Sequence, residues 1–172
     1  DATPAAQVAA ELGLLCVGLG TALGFSRLFI GWGYLGPLAL AVTVSWALAL
    51  VTRRARLGVG WSGVVSLVAG VLVLTWVFAA DTTFFGLPTA ATVDAVLGEM
   101  RGAFDEFSDL VAPVPPTDGF LVVLAAFLWS FTFFGDTAAF RYRGPVQAVI
   151  PFTSAFIAAG VVGAGALAVA GW

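Results

Sequence analysis

Histidine and lysine are both missing from this chain of 172 residues, and cysteine occurs once, at Cys16. Each absence closes a class of chemistry. Without His there is no Cys–His or Ser–His pair to make a nucleophile and its base. One Cys and no His leave no usable ligand set for zinc, and a single Cys excludes a disulfide within the chain. A GxxxxGK[ST] phosphate loop and a basic aromatic patch for nucleic acid are also missing. The sequence therefore assigns no catalytic, cofactor-binding or metal-binding residue, and it implies no cofactor and no nucleic-acid partner. Charge is scarce as well: 10% of residues are Asp, Glu or Arg, against 60% hydrophobic. Soluble domains carry about 25% charge, so water cannot be the solvent for most of this surface.

Five long apolar stretches are present instead, at Val8–Ile30, Tyr34–Val51, Trp61–Ala80, Gly119–Gly135 and Val146–Trp172. A bilayer core is about 30 Å thick and needs about 20 apolar helical residues to cross it. Within lipid every backbone polar group must be satisfied inside the segment, which selects helices or closed barrels. The stretches are continuous rather than alternating, so helices are expected. The sequence thus predicts an all-α integral membrane protein, one domain over 1–172, with five transmembrane helices and one amphipathic surface helix. Its first residue is Asp1, which reads as a cut segment or a processed product.

The arginines orient the chain. Arg53, Arg54 and Arg56 lie between the second and third stretches, and Arg141 and Arg143 between the fourth and fifth. Five crossings put these two loops on one side, against Arg27 and Arg101 on the other, and the positive-inside rule makes that side cytoplasmic. The N-terminus is then cytoplasmic, and Trp172 and the loop Asp81–Asp118 extracytoplasmic. That loop holds seven of the ten acids. Within it Val93, Leu97, Met100, Phe104, Phe107 and Val111 recur at helical spacing, with Asp94, Asp105, Glu106 and Asp109 on the other face. Thr89 after Pro88 offers a cap, and Ala112-Pro113-Val114-Pro115-Pro116 a stop, which predicts a helix over 91–111 lying on the membrane or capping the bundle. The loop's carboxylates read as the solvated face of that helix.

Three ionisable groups fall within or at the ends of the stretches: Glu11, Arg27 and Asp136. All three are near interfaces, where long side chains reach water. Arg27 snorkels or pairs with Asp81 or Asp118. Asp136 pairs with Arg141, with Arg143 or with the Arg53–Arg56 loop. Rows of small residues mark helix packing: Gly20 and Gly24 in a GxxxG, then Ser62, Ser66 and Gly70, then Ala155, Ala159 and Gly163. Trp32, Tyr34, Trp61 and Trp172 read as interfacial anchors, and Trp46, Trp76 and Trp129 as residues packed between helices.

The order of several short motifs resembles the N-terminal membrane region of the TgpA-type transglutaminase-like membrane proteins. They are Gly86-Leu87-Pro88-Thr89, the Ala112–Pro116 run, Asp136-Thr137-Ala138-Ala139, and Arg143-Gly144-Pro145 ahead of Ile150-Pro151-Phe152. The likeness runs from about Val8 to the end. It implies a membrane-anchoring and positioning domain in a bacterial cytoplasmic membrane, preceding an extracytoplasmic domain of the same protein with a Cys-His-Asp triad. No residue here matches that triad, so none is carried over. The alternative is an independent integral membrane protein, a small transporter or a subunit of an envelope complex. In either case the bilayer is the expected partner.

Overall fold

The computed structural model describes residues 3–107 and 114–170, with the side chains of 104–107 and 162–170 left out of the description. Helices α1 (Pro4–Gly24), α2 (Leu35–Arg54), α3 (Val59–Phe78), α4 (Ala90–Phe107), α5 (Asp118–Asp136) and α6 (Pro145–Ala170) follow in chain order. No strand occurs among the described residues. By length and composition α1 continued to Arg27, α2, α3, and α5 continued to Arg141 are long and apolar enough to cross a membrane, and Pro145–Val161 of α6 is a shorter apolar segment.

Local signals explain where the helices begin and end. Thr3 caps α1 by accepting from the Ala6 N–H, and Pro4 follows at the first helical position, where a missing N–H costs nothing. The first apolar stretch does not stay helical to its end. After α1 comes one 3-10 turn, Phe25–Arg27, then the chain leaves the helix through Leu28 and Phe29 forms a β-bridge with Val114. There Ile30 N–H donates to Val114 O (2.9 Å) and Val114 N–H to Leu28 O (2.8 Å). At the far end of α2 the chain turns through Arg56 at φ +56°, with Arg56 N–H donating to Arg53 O and Leu57 N–H to Thr52 O. This is a Schellman cap built on Arg where Gly is usual, at an end where a cation also complements the helix dipole.

Helix α5 is the hub, packed against α1, α2, α3, α4 and α6. Leu121, Ala125, Leu128 and Trp129 form its inner stripe and meet Leu38 and Val42 of α2, and Ala22 and Phe25 of the first helical run. Small residues let the helices approach closely. Gly18 does this in α1: a Cβ there would lie 2.7 Å from Val42 Cγ1. Gly24 lies equally close to the Phe156 ring of α6, whereas Gly20 faces open space. Gly70 lies under the Trp129 indole. Ala159 is buried and Ala155 packs beside it. The surroundings of Gly163 lie outside the described residues.

The fourth helix docks on α5 through residues outside its apolar stripe. Thr92 and Ala103 are buried, and Gly119 of α5 abuts the backbone of α4 at Glu99, too close for any side chain. Val93 and Leu97 of the stripe are exposed. The larger apolar residues are thus left for the surroundings, while small ones make the seam. Phe104, Phe107 and Val111 belong to the side chains outside the described set, as does the expected continuation of the helix through 108–111. The start agrees with the capping signal: Thr89 Oγ1 accepts from Thr92 N–H, Thr92 Oγ1 accepts from Thr89 N–H, and both hydroxyls donate to Thr82 O.

Candidate functional site

A cluster of charge lies inside the bundle at its arginine-rich end. Glu11 comes from the second turn of α1, Arg53 from the last turn of α2, and Asp136 from the last position of α5. Each belongs to the inward stripe of its helix. Glu11 is in phase with Leu14, Gly18 and Phe25; Asp136 is in phase with Ala125, Trp129 and Thr132. The fold therefore drives both carboxylates inward, where they are 3% and 1% exposed. Isolated charges at such positions are prohibitive, so a partner is required.

Arg53 is that partner for both. Its Nη2 donates to Glu11 Oε1 at 2.8 Å and to Asp136 Oδ1 at 3.3 Å. Its guanidinium carbon lies 4.2 Å from the centroid of the Phe140 ring, which closes the cluster with a cation–π contact. One cation between two carboxylates leaves an excess negative charge, and Arg54 approaches Glu11 Oε2 at 3.4 Å from the solvent side to offset it. Two further bonds fix Glu11: Gln7 Nε2 donates to its carboxylate, and Trp46 Nε1 donates to its carbonyl oxygen at 2.9 Å. Arg53 Nε is buried with no hydrogen-bond partner among the described residues, and the guanidinium is held through Nη2 and the Phe140 ring.

Beyond Asp136 the helix widens into one π-helical turn, Thr137–Arg141. This turn carries Phe140 over Arg53 and delivers Arg141 to the α2–α3 connection. There Arg141 Nη1 donates to Leu57 O (2.6 Å) and Nη2 to Ser62 Oγ (2.7 Å). Of the partners open to Asp136, the structure selects Arg53, and Arg141 serves as a strap across the end of α3. Arg143 is exposed, at φ +56°. At the opposite end no ion pair joins Arg27, Asp81 or Asp118 to another charge among the described residues.

A second polar row runs up the interior from this cluster. Ser45 Oγ donates to Trp129 O at 2.8 Å, and Trp129 Nε1 donates to Ser66 Oγ at 3.1 Å. Ser62, Ser66 and Gly70 thus form the side of α3 that faces α5, two of them as hydrogen-bond acceptors as well as spacers. The aromatic expectations divide. Trp129 packs between helices, but Trp76 is half exposed at the end of α3, and Tyr34 is fully buried, stacked on Phe29 at 5.2 Å. The Gly31-Trp32-Gly33 bend folds the Tyr34 ring back under the chain instead of leaving it at a surface.

Chemically the cluster can hold three helices in register. Cys16 is exposed on the outward side of α1, away from Glu11, and no group of three His, Cys, Asp or Glu side chains among the described residues could hold a metal ion. No protein-family model, curated protein or solved structure matches the chain.

Proposed function

We propose that this chain is a five-span membrane-anchoring and positioning domain of the bacterial cytoplasmic membrane, with its arginine-rich end in the cytoplasm. In this reading α6 is the fifth span, and the domain holds a transglutaminase-like catalytic domain of the same protein on the extracytoplasmic side. The observation that carries the reading is the division of labour between the ends of the bundle. Buried ion pairs tie α1, α2 and α5 together at one end. At the other, α4 docks on α5, the 80–89 connection is hydrogen-bonded to the start of α4, and the 28–34 turn pairs with Val114. A rigid bundle with a shaped outer platform suits a positioning role. The motif order from Gly86 to Phe152 supports the choice of catalytic partner.

The test is the remainder of the reading frame. It should encode an extracytoplasmic domain with a reactive Cys and a His, reached by an even number of further membrane passages, zero included. A frame that stops near Trp172, or that enters a cytoplasmic domain lacking both residues, overturns the anchor reading. One observation favours a second reading, an independent transporter or envelope-complex subunit: two buried carboxylates share one guanidinium inside the arginine-rich end of the bundle, and buried ionisable groups in apolar bundles are commonly functional.

A further inference from the structure

Residues Phe84–Leu87 form a tight turn closed by two backbone bonds of 3.0 Å, Phe84 N–H to Leu87 O and Leu87 N–H to Phe84 O. Both central residues are left-handed, Phe85 at φ +49° and Gly86 at φ +77°. That is the geometry of a type I′ turn, whose first central position favours Asn, Asp or Gly. A bulky aromatic there is strained. Strain of this kind persists when the side chain is rewarded, yet the Phe85 ring is 91% exposed and meets Phe84 only edge-on. Packing among the described residues does not supply the reward.

The position of the turn indicates what does. Trp76, in the last turn of α3, donates its indole N–H to Gly86 O at 2.6 Å, so the turn is pinned at the level where α3 ends. Trp76 is itself half exposed, and Trp61, Val64 and Val68, on the side of α3 away from the row Ser62, Ser66 and Gly70, are exposed as well. The exposed apolar residues of a membrane-length helix are thus followed, past the 3-10 turn that carries Asp81, by the exposed Phe84, Phe85 and Leu87, and the Trp76–Gly86 bond joins the two.

We infer that the Phe84–Leu87 turn is an anchor seated in the headgroup layer of the membrane at that end of α3, with phospholipid as its occupant. Aromatic rings favour this depth because it offers apolar contact beside water. The anchor fixes the height of the 80–89 connection, and through the Thr82 carbonyl the start of α4, relative to the bilayer. This inference rests on α3 crossing the membrane, and the experiment separates the two.

In a Cys16→Ser background, Phe85→Cys and Leu67→Cys are each labelled with a bimane fluorophore. Leu67 is exposed in the middle of α3. The full protein is reconstituted into phosphatidylcholine–phosphatidylglycerol vesicles whose lipids carry a nitroxide near the glycerol backbone or near the middle of the acyl chain. The label at 85 should be quenched most by the shallow nitroxide, and the label at 67 most by the deep one. Quenching at 67 with none at 85 overturns the anchor and leaves the span intact. No quenching at either position overturns the span and the anchor with it.

Discussion

The two ends of the bundle are closed by different physics. At the arginine-rich end, three helices are tied by side-chain charge, with Arg53 between Glu11 and Asp136 and Arg141 strapped to Leu57 and Ser62. At the acid-loop end the closure is made by backbone and rings. A bridge joins Phe29 to Val114, Tyr34 stacks on Phe29, and threonine hydroxyls cap α4. Seven of the ten acids are in the loop 81–118, yet none of its described carboxylates forms an ion pair. The number of charges at an end says little about the work they do there. What counts is whether the helix phase turns them inward.

The largest expected effect breaks the charged end. Arg53→Met leaves two buried carboxylates with no buried cation, and breaking a buried pair costs about 3–5 kcal/mol. Thermal unfolding in detergent should show a loss of that order. Arg54 approaches the same Glu11, but its side chain is 65% exposed, so Arg54→Ala should cost under about 1 kcal/mol. Replacing Glu11, Arg53 and Asp136 together by Leu, Met and Leu should recover most of the stability lost in Arg53→Met, because apolar substitutes remove the desolvation cost along with the attraction. Equal losses in Arg53→Met and Arg54→Ala would show that the burial of Arg53 is not what matters.

The other end should break locally. Gly119→Ala drives a Cβ into the α4 backbone at Glu99, which cannot retreat without undocking the helix. Overpacking of this kind costs about 1–3 kcal/mol. Amide exchange should rise in α4 while α2 and α5 keep their protection; a general rise would make α4 part of the core fold. A smaller effect is expected from Thr92→Ala, which removes one half of the reciprocal cap and one bond to Thr82 O. Losing a cap costs about 1 kcal/mol, and the exchange should rise first at the start of α4. An unchanged profile would mean that Thr89 alone suffices.

Much of the fold follows from apolar length and punctuation. The stretches read from the sequence map onto helices, and Thr89 marks a start that the backbone uses. The departures have physical reasons. Residues 28–30 are as apolar as the helix before them, but their backbone pairs with Val114, a partner more than 80 residues away that no local pattern reveals. The apolar stripe of α4 was legible as a stripe, but not which side docks, because the seam is made by Thr92, Ala103 and Gly119. GxxxG pointed to Gly20 and Gly24: Gly24 meets Phe156 of α6, Gly20 faces open space, and Gly18, outside the motif, meets Val42. The charged cluster was within reach: Glu11 and Asp136 share the phase of their helices' buried residues. That phase becomes decisive only when the inward side is known, and the spans are apolar on every side.

The central claim, that the arginine-rich end faces the cytoplasm and the α4 platform the outside, is tested most directly by labelling in intact cells. Cys16→Ser should be silent, and Ala55→Cys and Ala91→Cys then place one thiol at an exposed site of each end. An impermeant maleimide should react with Ala91→Cys in intact cells and with Ala55→Cys only after the membrane is opened. Reaction at Ala55→Cys but not Ala91→Cys would invert the orientation, and equal reaction at both would contradict a membrane between them.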